Sequence, residues 1–199
     1  MRFFRVFITI FIGLCLETAA SALEKTFAFN FHDAPLTKVV EAYSAQTGQR
    51  FVVDSASVSN IKLTIVESGK VTAKDAFNLL SASLALNSLA ISQRDGTFVL
   101  ANARTMERSF IPVVNDLPPL HPERLVTWVV TLKHADANNI LNQVRILPSK
   151  DGEMLTYGQN RLLFTDWVSN LYRIKELINQ LDKPSPEAPK PASPAENKG

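Results

Sequence analysis

The stretch of sequence that decides the fold is FNFHDAPLTKVVEAYSAQTGQRFVVDSASVSNIKLTIVES, residues 29–68. The strand that opens it covers residues 27–31, which read FAFNF, so a phenylalanine alternates strictly with a smaller residue. Such alternation places the three phenylalanines on one face of a strand, as in a half-buried sheet. Pro35 follows and predicts the start of a helix, where the N–H that proline lacks is not needed.

Behind Pro35, apolar side chains recur at helical spacing until a glycine ends the pattern. Gly48 can adopt the left-handed backbone that closes a helix, and the sequence after it predicts strands at residues 51–54 and 61–66. The apolar stripe of this first helix consists of Leu36, Val39, Val40 and Tyr43.

A second helix is predicted after Thr72, because Thr72 and Asp75 have the spacing of a capping box. Asp95-Gly96 then separates two strand-like runs, which is a strong signal for a hairpin. The predicted order is β-α-β-β-α-β-β, and the first domain spans residues 23–102. The buried face of the second helix is predicted to be Ala76, Phe77, Leu80 and Leu84.

Four prolines punctuate residues 103–124, at positions 112, 118, 119 and 122. Proline removes backbone donors and interrupts regular pairing. We therefore interpret this stretch as an interdomain linker with a short strand at residues 110–114, and we expect the two domains to fold separately.

The second domain, residues 125–182, opens with a strand at residues 125–134 and continues with a helix capped by Asp136. Strands at residues 153–157 and 161–165 flank a turn, and Asp166 is predicted to cap the closing helix. The order β-α-β-β-α is that of a KH-like domain, so the whole chain is predicted to be α+β, built from two-layer units. The helix stripes are predicted to be Ile140, Leu141, Val144 and Leu147, and then Val168, Leu171, Ile174, Ile178 and Leu181.

The two ends of the chain differ in composition from the rest. Residues 1–22 combine a positive start, an apolar run and small residues before a cleavage point between Ala22 and Leu23, which is the anatomy of a signal peptide. A membrane anchor and a lipid on Cys15 are the alternatives. Residues 183–199 are rich in Pro, Ala, Ser, Glu and Lys, and they lack the apolar residues that would offset the entropy of ordering them.

The sequence contains no constellation typical of catalysis or metal binding. His32, His121 and His134 are scattered, and no glycine-rich phosphate loop is present. The G-x-x-G loop of KH-type nucleic-acid binders is also missing, and the formal net charge is only +2. We therefore expect no enzyme activity, cofactor, metal, nucleic acid or small-molecule substrate, and we expect Trp128 and Trp167 to lie in the core.

Two parts of the chain resemble the periplasmic domains of type II secretion secretins. Residues 29–68 and 71–92 resemble the first domain, including its Asp-Ala-Pro-Leu helix start and Phe-Val-Val-Asp strand. Residues 129–147 and 159–182 resemble the second domain, including its closing Leu-Asp. A secretin continues into a long β-rich pore, whereas this sequence stops at Gly199. We therefore expect a dedicated half-secretin, one piece of a split secretin, or an accessory protein, rather than the channel itself.

The resemblance implies a ring-forming and docking module in the periplasm, associated with the outer-membrane secretion complex. Implied partners are an inner-membrane secretion component, an outer-membrane secretin, copies of the chain itself and, transiently, exported proteins. A signalling module of a TonB-dependent system and a type IV pilus or type III secretin module are the alternatives.

Partner docking is expected along the opening strand, by addition of a strand to its open backbone edge while the phenylalanines pack inward. The alternative is that this strand lies inside the sheet. The residues predicted to take part are Phe27, Ala28, Phe29, Asn30 and Phe31.

Overall fold

The computed structural model describes residues 25–184. The predicted signal peptide with its Ala22–Leu23 cleavage point, and nearly all of the predicted disordered tail, lie outside the described residues. The elements up to residue 102 are β1 (Thr26–Ala28), β2 (Phe31–Pro35), α1 (Leu36–Thr47), β3 (Arg50–Val53), α2 (Ser55–Val58), β4 (Lys62–Ile65), β5 (Lys70–Thr72), α3 (Ala73–Leu86), β6 (Leu89–Arg94) and β7 (Thr97–Asn102). A 3-10 turn at Arg108–Phe110 follows, and then β8 (Val113–Val114), β9 (Leu125–Thr131), α4 (Ala137–Val144), β10 (Glu153–Thr156), β11 (Arg161–Trp167) and α5 (Val168–Leu181).

The first half contains one three-stranded sheet and two two-stranded ladders. The sheet has the order β3-β7-β6, with β3 parallel and β6 antiparallel to β7. The ladders are β1-β5 and β2-β4, both antiparallel. Helices α1 and α3 contact strands of the sheet and of the ladders. The mixed α+β class expected from the sequence is confirmed.

Residues 27–31 do not form the single strand that their alternation predicts. The chain leaves β1 after Ala28 and re-enters a strand at Phe31, and the two pieces pair with different partners. Within β2 the register shifts, because Asp33 has a left-handed backbone (φ 47°) and its N–H donates to Thr64 Oγ1 at 3.0 Å. Alternation specifies which side chains are buried, but it carries no information about which strand they pair with.

The signals that bound α1 and α3 are local, and the structure agrees with them. Helix α1 begins after Pro35 and ends at Gly48, which is left-handed (φ 72°). Thr72 caps α3 by accepting from the Asp75 N–H at 3.1 Å. Two short elements were missed, α2 and β5. Helix α2 begins where Asp54 accepts a hydrogen bond from the Ala56 N–H.

Aromatic side chains dominate the first core. Phe29 is 1% exposed and touches the rings of Phe27, Phe31 and Tyr43, with centroids 5.0–6.1 Å apart. From Tyr43 the contacts continue to Phe51 in β3, Phe77 in α3 and Phe98 in β7. Most of these pairs are edge-to-face or tilted, the arrangements that aromatic quadrupoles favour.

The second half is a four-stranded sheet, β10-β11-β9-β8, whose core is formed with α4 and α5. Asp136 caps α4 through the Asn138 and Asn139 N–H groups, as predicted. Ile140, Val144 and Ile174 are fully buried, whereas Leu141 is only half-buried. The fully buried face of α4 is therefore about one residue narrower than the sequence predicts.

The stretch between the two halves is packed rather than solvated over much of its length. Strand β8 pairs in parallel with β9 and so belongs to the second sheet. The 3-10 turn lies against β6, where the Ser92 hydroxyl donates to the Phe110 carbonyl and Arg94 lies 5.4 Å from the Phe110 ring. A third buried cluster draws on both halves and on this stretch; it consists of Ala90, Ala103, Met106, Ile111, Leu125 and Trp167.

Two ion pairs connect the same stretch to the second half. Arg108 pairs with Glu153, and Arg104 Nε lies 3.5 Å from Asp151 Oδ1. Arg108 and Glu153 are both largely exposed, so that pair contributes little to stability, whereas the Asp151 side chain is buried and Arg104 is its cationic partner.

Truncation of the α5 core side chain should be costly. We expect Ile174→Ala to lower the free energy of unfolding by roughly 2–5 kcal/mol, because Ile174 is fully buried and a cavity would remain. Ile146→Ala is the matched control, since Ile146 is 81% exposed, and it should change stability by under about 0.5 kcal/mol. Urea titration followed by circular dichroism measures both; equal losses would show that the buried face is wrongly assigned.

Limited proteolysis tests whether residues 103–124 are a loose linker. The sequence predicts cleavage throughout this stretch, but burial of Met106 and Ile111 leads us to expect that trypsin spares Arg104 and Arg108. Subtilisin should instead cut at residues 115–121, which are mostly exposed. Met106→Ala should speed tryptic cleavage at both arginines by loosening the third cluster. Rapid cleavage at both arginines in the unaltered chain would favour the linker interpretation.

Candidate partner-docking surface

The opening segment, which is β1 together with residues 29–31 that lead into β2, exposes few of its side chains. Phe27 and Phe29 are 8% and 1% exposed, and Phe31 is half-buried against the same core. Ala28 and Asn30 are exposed. Of the five residues predicted to bind a partner, the phenylalanines are therefore held inward, and only Ala28 and Asn30 present side chains to solvent.

The other feature of β1 is its backbone edge. Among residues 25–184, β1 pairs with β5 alone, with Ala28 opposite Lys70 and Phe27 opposite Val71. The strand is thus not internal to a sheet in this part of the chain. A strand with one free edge can accept another strand through main-chain hydrogen bonds.

Two exposed lysines lie near β1. Lys25 precedes the strand, and Lys70 lies opposite Ala28 on β5, which covers the other edge of β1. Lys62 Nζ lies 2.6 Å from Asp33 Oδ2 in an exposed pair. Lys25 and Lys70 can attract an acidic segment, although exposed charges act weakly and are screened by salt.

No group of three or more His, Cys, Asp or Glu side chains within residues 25–184 is arranged to hold a metal ion. The two tryptophans are core residues with satisfied indoles: Trp128 Nε1 donates to the Asn115 carbonyl and Trp167 Nε1 to Asp151 Oδ2.

Asp166 does not cap α5, contrary to the sequence prediction. It is the penultimate residue of β11 and is fully buried, and the residue at the helix boundary is Trp167, which makes no side-chain cap. Its carboxylate accepts from Ser149 N–H and Oγ at 2.7 and 2.6 Å, and from Asn170 Nδ2 at 2.8 Å. The Gly152 backbone lies so close that an added Cβ would be 2.4 Å from Asp166 Oδ2. Asp166 therefore fastens the loop before β10 to α5.

Asp182 has a structural role that sequence reasoning missed. Its carboxylate follows α5 and accepts hydrogen bonds from the N–H groups of Lys133, His134 and Ala135 at 2.8–2.9 Å. Burial acts to raise the pKa of Asp182, but these three hydrogen bonds and the nearby His134 outweigh it and hold the pKa below its usual range. The signal for this role in the sequence was the Leu181-Asp182 pair that closes the second domain.

Both halves of the chain match known protein families. Residues 29–99 match the GspD-like N0 domain, and residues 127–187 match the short domain of bacterial type II/III secretion systems. The chain carries the N-terminal domains of a type II secretion secretin. Domains of this kind are structural components of secretion machines and not enzymes.

Two relatives illustrate the match. The secretin XcpQ of Pseudomonas aeruginosa is 22% identical over 173 residues, which is 86% of this chain and 25% of that protein. The solved outer-membrane complex of the Klebsiella pneumoniae type II secretion system, which holds PulD, PulS and the PulC HR domain, matches with a TM-score of 0.68 and 17% identity. That match covers 78% of this chain and 27% of the other. The chain thus spans about a quarter of the length of these secretins.

Secretin N-terminal domains lie in the periplasm as part of the outer-membrane secretion complex. Within residues 25–184, none of the helices has the length and apolar character needed to cross a bilayer.

Replacement of Asp182 should make stability depend on pH in a predictable direction. We expect Asp182→Asn to cost about 1 kcal/mol near neutral pH, because three N–H groups lose a charged acceptor at a partly exposed site. The pKa is lower in the folded chain, so this stabilisation is complete above the unfolded value of 3.8. It is lost as the pH falls through the folded pKa.

Thermal melting of both chains from pH 7 to pH 2 measures this difference. The two curves should converge at the acidic end. A gap that stays constant, or widens toward acid, would show that the charge of Asp182 does not stabilise the fold.

Proposed function

We propose that this chain is a docking and ring-building module of a type II secretion machine. It links an inner-membrane secretion component to an outer-membrane secretin, with copies of the chain side by side in a ring and exported proteins passing transiently. The observation that carries the proposal is the opening strand. Its phenylalanines are committed to the core, while its outer backbone edge has no partner among residues 25–184.

Strand addition is the binding mode that this geometry favours. A partner segment laid along β1 gains main-chain hydrogen bonds without moving any phenylalanine, so the surface is preorganised. The exposed Lys25 and Lys70 favour acidic residues on the incoming segment.

Ring assembly would raise the overall affinity above that of a single contact. An interface along one short strand is small, and its affinity alone is low. Copies held at fixed spacing in a ring engage several partner segments at once, and the effective concentration raises the overall affinity without new contacts.

Proline substitution tests the edge directly. Ala28→Pro and Asn30→Pro each remove one N–H near the free edge, and we expect the variant whose N–H points outward to lose capture of the partner at least tenfold while still folded. The ligand is the periplasmic part of the inner-membrane secretion component from the same cell, immobilised for biolayer interferometry. Asp116→Pro is the control, because Asp116 is an exposed loop residue.

A charge reversal keeps the test decisive if a proline variant unfolds. Lys70→Glu leaves the backbone intact and should weaken capture severalfold, with the deficit shrinking at high salt. If both proline variants melt like the unaltered chain and capture the partner equally well, docking does not use the opening strand.

A further inference from the structure

A second free strand edge belongs to β3 of the three-stranded sheet, which is separate from the ladder that contains β1. Among the described residues β3 pairs only with β7, so its other side has no strand partner. Beside this edge a groove of about 390 Å³ separates β3 from helix α1. The groove lies apart from the opening strand: none of residues 26–35 lines it.

The hydrogen bonding of β3 identifies the groups that face outward. The Asp54 N–H donates to the Leu100 carbonyl of β7 at 3.0 Å. Backbone groups alternate sides along a strand, so the N–H and carbonyl of Val52 also point to β7. Those of Phe51 and Val53 therefore point away from the sheet, toward the free edge.

The side chains along this edge are apolar on both faces. Phe51 and Val53 line the groove together with Val40 and Ala45 of α1. On the opposite face Val52 is 57% exposed. Natural edge strands are normally protected by charges, prolines or covering segments. Arg50 and Asp54 are exposed at the two ends of this edge, but residues 51–53 (FVV) between them carry neither a charge nor a proline. An apolar edge segment of this kind indicates that another chain covers it.

An acidic side chain, Glu41, lies at one end of the groove. Glu41 lines the groove, is exposed and takes part in no ion pair within residues 25–184. Helix α1 and β3 are joined by only two residues, Gly48 and Gln49, and so run in opposite directions. Glu41 therefore lies toward the Val53 end, where a cationic side chain of an incoming segment would meet it.

We propose that the β3 edge and its groove bind an extended segment of a partner protein that is apolar at alternate positions and carries a lysine or arginine opposite Glu41. The segment adds antiparallel to β3 and bonds to the outward backbone groups of Phe51 and Val53. Its apolar side chains enter the groove between α1 and β3, and the side chains between them cover Val52. This surface is distinct from the opening strand and does not depend on docking there.

The probe is a blocked seven-residue peptide with lysine first, followed by alternating valine and threonine. Amide hydrogen exchange of the whole, isotopically labelled chain is followed by NMR. Without peptide the Phe51 and Val53 amides should exchange fast and the Val52 amide slowly. Saturating peptide should slow Phe51 and Val53 at least tenfold and leave Val52 and residues 26–31 unchanged, with a dissociation constant on the order of 0.1–1 mM.

Variants on α1 distinguish binding in the groove from nonspecific adsorption to the protein surface. Ala45→Trp fills the groove and should abolish the protection, whereas Gln46→Trp, on the neighbouring exposed position, should not. Glu41→Lys should weaken the lysine peptide severalfold and strengthen a peptide with glutamate first. A peptide methylated on the backbone nitrogens that face β3 should not bind.

Three results would overturn the proposal: no protection of Phe51 and Val53, equal binding by the Ala45→Trp variant, or binding that survives methylation. Protection of the two amides that grows with protein concentration in the absence of peptide would show that a second copy of the chain covers the edge, and would also reject a peptide segment as the occupant.

Discussion

Everything in the first half depends on one chain of aromatic contacts. Phe29 lies at one end, buried among Phe27, Phe31 and Tyr43, and Tyr43 extends the contacts to Phe51, Phe77 and Phe98. The Tyr43 hydroxyl also donates to the Ala73 carbonyl at 3.3 Å, which ties α1 to the start of α3. The rings bury large apolar areas at low entropic cost, so the two ladders and the three-stranded sheet are built around a single rigid core.

Three acidic residues stabilise the second half through hydrogen bonds. Asp136 caps a helix, Asp166 is buried in hydrogen bonds to a loop, and Asp182 gathers three consecutive N–H groups. Each carboxylate is satisfied by donors that come from fixed backbone or from nearby side chains. These hydrogen bonds hold helix ends and loops in place, which agrees with the structural role of secretin N-terminal domains.

Local signals in the sequence were sufficient for the bounds of α1 and α3 and for the hairpin. Gly48, the Thr72 cap and the Asp95-Gly96 turn act within four residues of themselves, so the sequence around them contains the whole cause. The break after Ala28 was not predictable, because it arises when β1 and β2 find different partners more than 25 residues away. Asp166 was misread for a related reason: a carboxylate before a helix looks like a cap until Ser149 is known to lie against it. Free edges belong to the same class, since strand order depends on long-range pairing.

The third buried cluster has a mechanical consequence. Met106 and Ile111 pack with Ala90 of the first sheet and Trp167 of the second. Because one buried cluster is shared by both halves, a rotation of one half against the other would expose the apolar surface of these side chains, and that exposure costs free energy.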